Sequence, residues 1–361
     1  MEVQTNHTKK MMALLIAAHN EELVIEQTLR SAVRAGMKPE NIYVVDDNST
    51  DKTSTIAKSI VGEDNVLKVH RGGKGLALTK AAKKFSLSER YRWIHIADAD
   101  GGFAPNYFVI FRSSLRVKYA AATGYVRSLP GSNISQFRVF EYTIGMELHR
   151  RFQALANTVS VIPGPTSCFR SDVFAHVDFA NKSLTEDFDV TLQIHREKLG
   201  PIQFIPKAVA YTQDPNNLQD FIKQISRWNR GIAQGIKRHK IGKKAQRIDI
   251  YLSYQIIQNI LFFLNYVVLI PYIAISRHSP NAVAAAFIFD CIITFILSLL
   301  VAIKTRRWDV LSSFPIVYAL RWVIMVIFFK SFFEVFVLGK FKHTGGTWST
   351  ANRRYKMTVT S

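Results

Sequence analysis

Two aspartates one residue apart, Asp98 and Asp100, follow an apolar run at residues 93–97 (WIHIA) and precede Gly101. Carboxylates at i and i+2, in a bend relaxed by glycine, can converge on a hard divalent cation that also holds phosphate oxygens; the plainer reading is a turn. A second acidic pair, Asp46 and Asp47, closes another apolar run at residues 41–45 (NIYVV) and opens the stretch DDNSTD. Either it meets a ligand or it caps the helix that follows. A third group, Glu186 and Asp187 within LTEDFD, stands at the start of a helical stretch. There a carboxylate can be a general base for an attacking hydroxyl, or simply a partner for the helix dipole. Gln224, Arg227 and Trp228 share one helix face at i, i+3 and i+4. An arginine fork suits a diphosphate and an indole suits the apolar side of a sugar ring, while a Trp/Arg pair also anchors proteins to lipid. Lys74, in the loop RGGKG at 71–75, is the cation nearest in sequence to a phosphate-type loop, although the chain has neither a GxGxxG nor a Walker A motif.

These groups need a scaffold, and the pattern around them supplies one. Residues 12–18 (MALLIAA) read as a buried strand, followed by His19-Asn20-Glu21-Glu22 and a helical stretch to about Ala35. With the runs at 41–45 and 93–97, this predicts a parallel sheet with crossover helices. In such sheets ligands bind outside the carboxyl ends of the strands, where the first two acidic pairs fall. Residues 161–169 (VIPGPTSCF) form a Pro/Gly-bent segment before Arg170.

The composition then changes. From about Leu252 onward long apolar stretches dominate, with spans predicted at about 252–275 and 282–303 and a third stretch at 314–338. Arg321, Lys330 and Glu334 interrupt the third, which is therefore either an interfacial helix or a span whose charges face protein. The net charge of +20 is concentrated beside these stretches: six Lys/Arg lie in 237–247, and five in 340–361 with no acid. That placement predicts a multi-pass membrane protein with both ends of the hairpin cytosolic, in contact with lipid rather than nucleic acid. Two distant cysteines, Cys168 and Cys291, imply no disulfide framework, and residues 1–10 carry no hydrophobic export signal.

Read together, HNEE (19–22), VVDDNSTD (44–51), GKGLAL (73–78), DADG (98–101), TEDFD (185–189) and QISRW (224–228) resemble, in order, the motifs of the inverting family 2 glycosyltransferases. The likeness is greatest to the processive membrane synthases of the cellulose, chitin and hyaluronan type, and it covers about residues 12–231. It implies an α/β, Rossmann-like GT-A catalytic domain over 1–236, a basic linker or interfacial helix at 237–251, membrane helices over 252–338 and a basic tail at 339–361. It also implies roles: Glu21, Asp46, Asp47, Lys74, Asp98 and Arg227 toward a nucleotide-sugar, and Asp100 with Asp98 toward Mg²⁺ or Mn²⁺. Asp187, with Glu186 beside it, would be the base; Gln224, Trp228 and Cys168 would face the acceptor. The expected activity is transfer from a UDP-sugar to a growing β-linked glycan. Its alternatives are single transfer to a lipid or polyprenyl-phosphate acceptor, and a non-enzymatic basic membrane scaffold. Ala17 departs from the family's usual proline, and the membrane part is short for a polysaccharide channel, which points to an oligomer, a partner subunit or a short product. The stretch TGGTWST at 344–350 loosely resembles the gating segment of those synthases.

Overall fold

The computed structural model describes residues 9–129, 131–180, 183–276 and 281–339. They fall into two compact units. The first comprises residues 9–127 and Val161–Gln213, the second Ser128–Ser160 and residues 214–339. The expected tail segment at 344–350 lies outside the described residues.

The first unit is built on an eight-stranded mixed sheet: β1 (Lys10–Ala18), β2 (Ile42–Asp46), β3 (Val66–Lys68), β4 (Tyr91–Asp98), β5 (Gly102–Phe103), β6 (Ala121–Ser128), β7 (Ser167–Arg170) and β8 (Ile202–Thr212). The strand order is β3-β2-β1-β4-β7-β6-β8-β5. β1, β2, β3 and β4 pair in parallel, whereas β7 runs antiparallel to both β4 and β6. The last seven residues of β1 and all of β2 are buried, as expected for parallel strands covered on both faces. Helix Ile25–Arg34 turns Ile25, Thr28, Leu29 and Ala32 inward at i, i+3, i+4 and i+7. Register then decides where the chemistry sits. Ala18 pairs with Asp46 and Ala17 with Asp98, so HNEE and both acidic strand ends emerge along one edge of the sheet.

The second unit is helical. Asn133–Ile144 continues through a π-turn, Gly145–Arg150, into Arg151–Ala156, and the long amphipathic helix Leu218–Arg238 follows in the same unit. Phe137, Phe140, Phe221, Ile225, Val317, Leu320 and Ile327 form its core. Among the described residues three helices are long and apolar enough to cross a membrane: Arg247–Ser276, Val283–Thr305 and Phe314–Phe336. The first begins at a reciprocal cap between Gln246 and Asp249. It passes through a π-turn, Asn265–Leu269, just before Pro271, whose missing N–H would otherwise leave a carbonyl one turn back unpaired. Two of the three charges that interrupt the third helix have protein partners: Arg321 meets Asp290 at 3.3 Å and Glu334 meets Arg230 at 3.2 Å, while Lys330 is exposed.

Candidate active site

At the edge where β1 and β2 end, the two loops are laced together. The Asn20 N–H donates to Ser49 Oγ (2.9 Å), Glu21 N–H to Thr53 Oγ1 (2.7 Å), and Thr50 N–H back to Asn20 Oδ1 (2.8 Å). Asn20 adopts φ 53°, a left-handed conformation that asparagine tolerates well. Glu21 is buried beside this seam.

The acidic pair after β2 turns inward. Asp46 has no exposed surface and its Oδ1 accepts the Ser49 N–H at 2.7 Å, an Asx-type turn closing the DDNS loop. Asp47, equally buried, accepts the Gly72 and Gly73 N–H groups at 2.8 and 2.9 Å, one on each carboxylate oxygen. Both carboxylates organise backbone beneath the edge. Asp47 thereby fixes the loop that leads into helix Lys74–Lys84, which Gly73 enters with φ 87°.

That loop delivers Lys74. Its Nζ donates to Asp98 Oδ1 at 2.7 Å and lies 2.9 Å from Glu186 Oε1. Burial works against the ammonium's charge, but Asp98 and Glu186 more than offset it and raise its pKa above the ordinary lysine range. One cation thus gathers the end of β4 and the start of helix Glu186–Arg196, residues 88 apart in sequence for Asp98 and Glu186. Asp187 follows directly, half-buried in the first turn of that helix. Thr191 ties the helix down: its hydroxyl donates to the Asp187 carbonyl (2.6 Å), and its oxygen accepts the Ile162 N–H (3.0 Å).

Two residues that sequence reasoning passed over shape this cluster. Thr28 Oγ1 lies 2.7 Å from the Ala99 carbonyl and 2.8 Å from that of Gly101, pinning the turn that carries Asp100. Gly164, between two prolines, backs directly onto Asp98 and Lys74. A Cβ there would lie 2.8 Å from both Asp98 carboxylate oxygens and 3.0 Å from Lys74 Nζ. The PGP spacing was the available signal, since a lone glycine between prolines marks a close approach as often as a turn.

Could this cluster hold a divalent ion? Among the described residues no group of three or more His, Cys, Asp or Glu side chains is arranged to do so alone. Asp98 and Asp100 at the end of β4 are hard oxygen donors, and the bare face of Gly164 leaves the Asp98 carboxylate uncovered by any Cβ. Two carboxylates fit an ion such as Mg²⁺ or Mn²⁺, which completes its shell with water and phosphate oxygens.

Cys168 does not join the site. It pairs with His95 in the middle of the sheet, is wholly buried, and burial pushes its thiol pKa up. The expected acceptor contact is corrected accordingly: β7 is a short internal strand in which Ser167, Cys168 and Phe169 are buried. Gln224, Arg227 and Trp228 lie in the second unit on helix Leu218–Arg238, with Gln224 buried and the other two half-buried.

Residues 9–231 match the family model described as glycosyltransferase like family 2. The chain is 26% identical over 250 residues to the poly-beta-1,6-N-acetyl-D-glucosamine synthase of Staphylococcus aureus, covering 67% of this chain and 59% of that protein. The synthase of the same name from Staphylococcus epidermidis is also 26% identical, over 229 residues, with 61% and 54% covered. The chain spans about three fifths of the length of these relatives. Among solved structures, the mannosyltransferase PcManGT from Pyrobaculum calidifontis, in complex with GDP-Man and Mn²⁺, has a TM-score of 0.55 at 15% identity, with 87% of each chain covered. That likeness is one of fold, and the α/β GT-A class expected from the sequence is borne out, with apolar helices following it.

Proposed function

Because this chain belongs to the family 2-like glycosyltransferases, we propose that it is a membrane-bound, inverting enzyme that extends a β-linked glycan from a nucleotide-sugar. The observation that carries this reading is Lys74, clasped between Asp98 and Glu186 with Asp187 next in the chain. A diphosphate leaving group and a base for the acceptor are both needed within one reach of the sugar's C1, and this cluster supplies a cation held by two carboxylates, of which Glu186 directly precedes Asp187 in the chain. In the proposed reaction Asp187 takes the proton of the acceptor hydroxyl as its oxygen bonds to C1. The bond from C1 to the diphosphate oxygen breaks in line, so the anomeric centre inverts. Lys74 and Arg227 offset the charge that collects on the departing nucleoside diphosphate. Mg²⁺ or Mn²⁺, held by Asp98 and Asp100, would supply further charge neutralisation there. Glu21 would contact the nucleoside, and Gln224 and Trp228 the acceptor.

The relatives' name supports N-acetylglucosamine as the first donor sugar to try, and basic residues flanking the apolar helices support a cytosolic catalytic domain. The test is release of nucleoside diphosphate by purified full-length protein offered UDP- and GDP-sugars with Mg²⁺ or Mn²⁺, followed by sizing of the product. Asp187→Asn should lower turnover by roughly a hundredfold or more while leaving donor affinity near wild type. Undiminished turnover in that variant would remove the assigned base, and a product carrying a single sugar on lipid would replace glycan extension by single transfer.

A further inference from the structure

The helix that carries QISRW is organised around a residue outside every motif. Arg138, on helix Asn133–Ile144, is wholly buried in the second unit. Its Nη2 donates to Gln224 Oε1 at 2.6 Å, and its guanidinium lies 4.7 Å from the centre of the Trp228 ring and 5.0 Å from that of Phe221. Nη1 bonds to Glu141, and Nε stands 3.6 Å from Asp214, which also accepts the Tyr142 hydroxyl at 3.2 Å. Phe221, Gln224 and Trp228 are spaced i, i+3 and i+7, so one face of the helix converges on a single planar cation.

The geometry has two chemical effects. An arginine has only donors, so it holds the Gln224 amide by its oxygen and turns the Nε2 donors away from itself. A guanidinium over one face of an indole confines stacking on a sugar's C–H surface to the opposite face and polarises the ring besides. We propose that Arg138 is the positioning residue of the acceptor subsite, setting Gln224 as a hydrogen-bond donor and Trp228 as a one-sided stacking platform for a saccharide. This rests on the reading of Gln224 and Trp228 as acceptor contacts given above. Lysine cannot replace it: an ammonium offers neither the fork nor the flat face.

The test uses the full chain in lipid nanodiscs, labelled with 5-fluorotryptophan. The protein has five tryptophans, and Trp228→Phe identifies the resonance of interest by its loss. Arg138→Lys, which retains a buried cation, and Arg138→Gln should both shift and broaden the Trp228 signal and leave that of Trp93, in the core of the first unit, in place. With UDP-N-acetylglucosamine and a β-1,6-linked N-acetylglucosamine trisaccharide as probes, acceptor KM should rise by about tenfold with donor KM within about twofold of wild type. An unmoved Trp228 signal in folded Arg138→Lys overturns the proposal. So does a matched loss on both substrates together with a lowered melting point, which marks a residue that serves the fold alone. Absence of turnover by the wild-type protein on every donor defeats the functional reading instead, and the fluorine signal then decides the positioning by itself.

Discussion

Gly164→Ala adds one methyl group directly against the Asp98–Lys74 pair of the candidate site. The glycine's φ lies outside the left-handed region, so alanine suits the backbone and the effect is steric. The new Cβ would stand 2.8 Å from both Asp98 oxygens and 3.0 Å from Lys74 Nζ, where ordinary contact begins at 3.4 Å. The carboxylate must therefore retreat by about 0.6 Å and the ammonium by about 0.4 Å, since packed atoms do not overlap. Neither can move alone, because they are bonded at 2.7 Å and Lys74 is also held by Glu186. Misplacement by 1 Å can cost about a hundredfold in rate, so a shift of this size should lower kcat/KM by roughly ten- to a hundredfold. That corresponds to about 1.4–2.7 kcal/mol of lost transition-state stabilisation. The assay is nucleoside diphosphate release titrated with Mn²⁺, with Asp98→Asn in parallel; the Mn²⁺ needed for half-maximal rate should rise several-fold. The melting temperature should barely change, because the crowded groups are partly solvated rather than core. A variant that keeps kcat/KM within about twofold of wild type and the same Mn²⁺ response would refute the argument, for the Asp98–Lys74 pair would then not be part of the donor site.

Other expectations concern stability. His95 is wholly buried among Phe103, Tyr107, Phe108 and Phe111, and burial pushes its pKa down from 6.5 to about 3. The unfolded chain therefore binds a proton that the folded chain refuses, and stability should fall as pH drops from 6.5 toward 3. His95→Phe should remove up to about 1.4 kcal/mol per pH unit of that slope, seen as a flatter dependence of the unfolding midpoint on pH; an unchanged slope would show that His95 is protonated in the fold. In the apolar helices, Asp290→Asn should destabilise by roughly 2–3 kcal/mol because it strands Arg321, whereas Asp290→Leu with Arg321→Met should recover most of the loss. Thermal inactivation in detergent separates the two, and a double variant as weak as the single one would deny the pair this role.

The strands that bear the acidic ends were legible because β1, β2 and β4 are mostly buried and read as apolar runs, with His95 the one polar side chain in 93–97. β7 spans four residues and β5 two, too short for any period, so the antiparallel insertion of β7 beside β4 and the pairing of β5 with β8 at the sheet's edge could not be foreseen. The helices of Ser128–Ser160 left no motif, so their grouping with the apolar helices was hidden. Within the site, Lys74, Asp98 and Asp187 stand in the sequence as chemistry-bearing residues in ordered motifs. The internal use of Asp47 was illegible because its partners are backbone N–H groups, which every residue but proline carries. Thr28, Gly164 and Arg138 act across separations of 71, 66 and 86 residues and have significance only once the chain is folded.

The single ammonium shared by Asp98 and Glu186 bears on how such a site can change over generations. Losing Lys74 first leaves two half-covered carboxylates facing one another without a counter-charge. Losing either acid first leaves a neutral pair, which the fold tolerates far better. The lysine is thus the member that can be exchanged only after its neighbours, and the loop, strand end and helix start that carry the three residues are inherited as one unit. Drift in the pocket must then proceed from the acids inward, with the cation last to go.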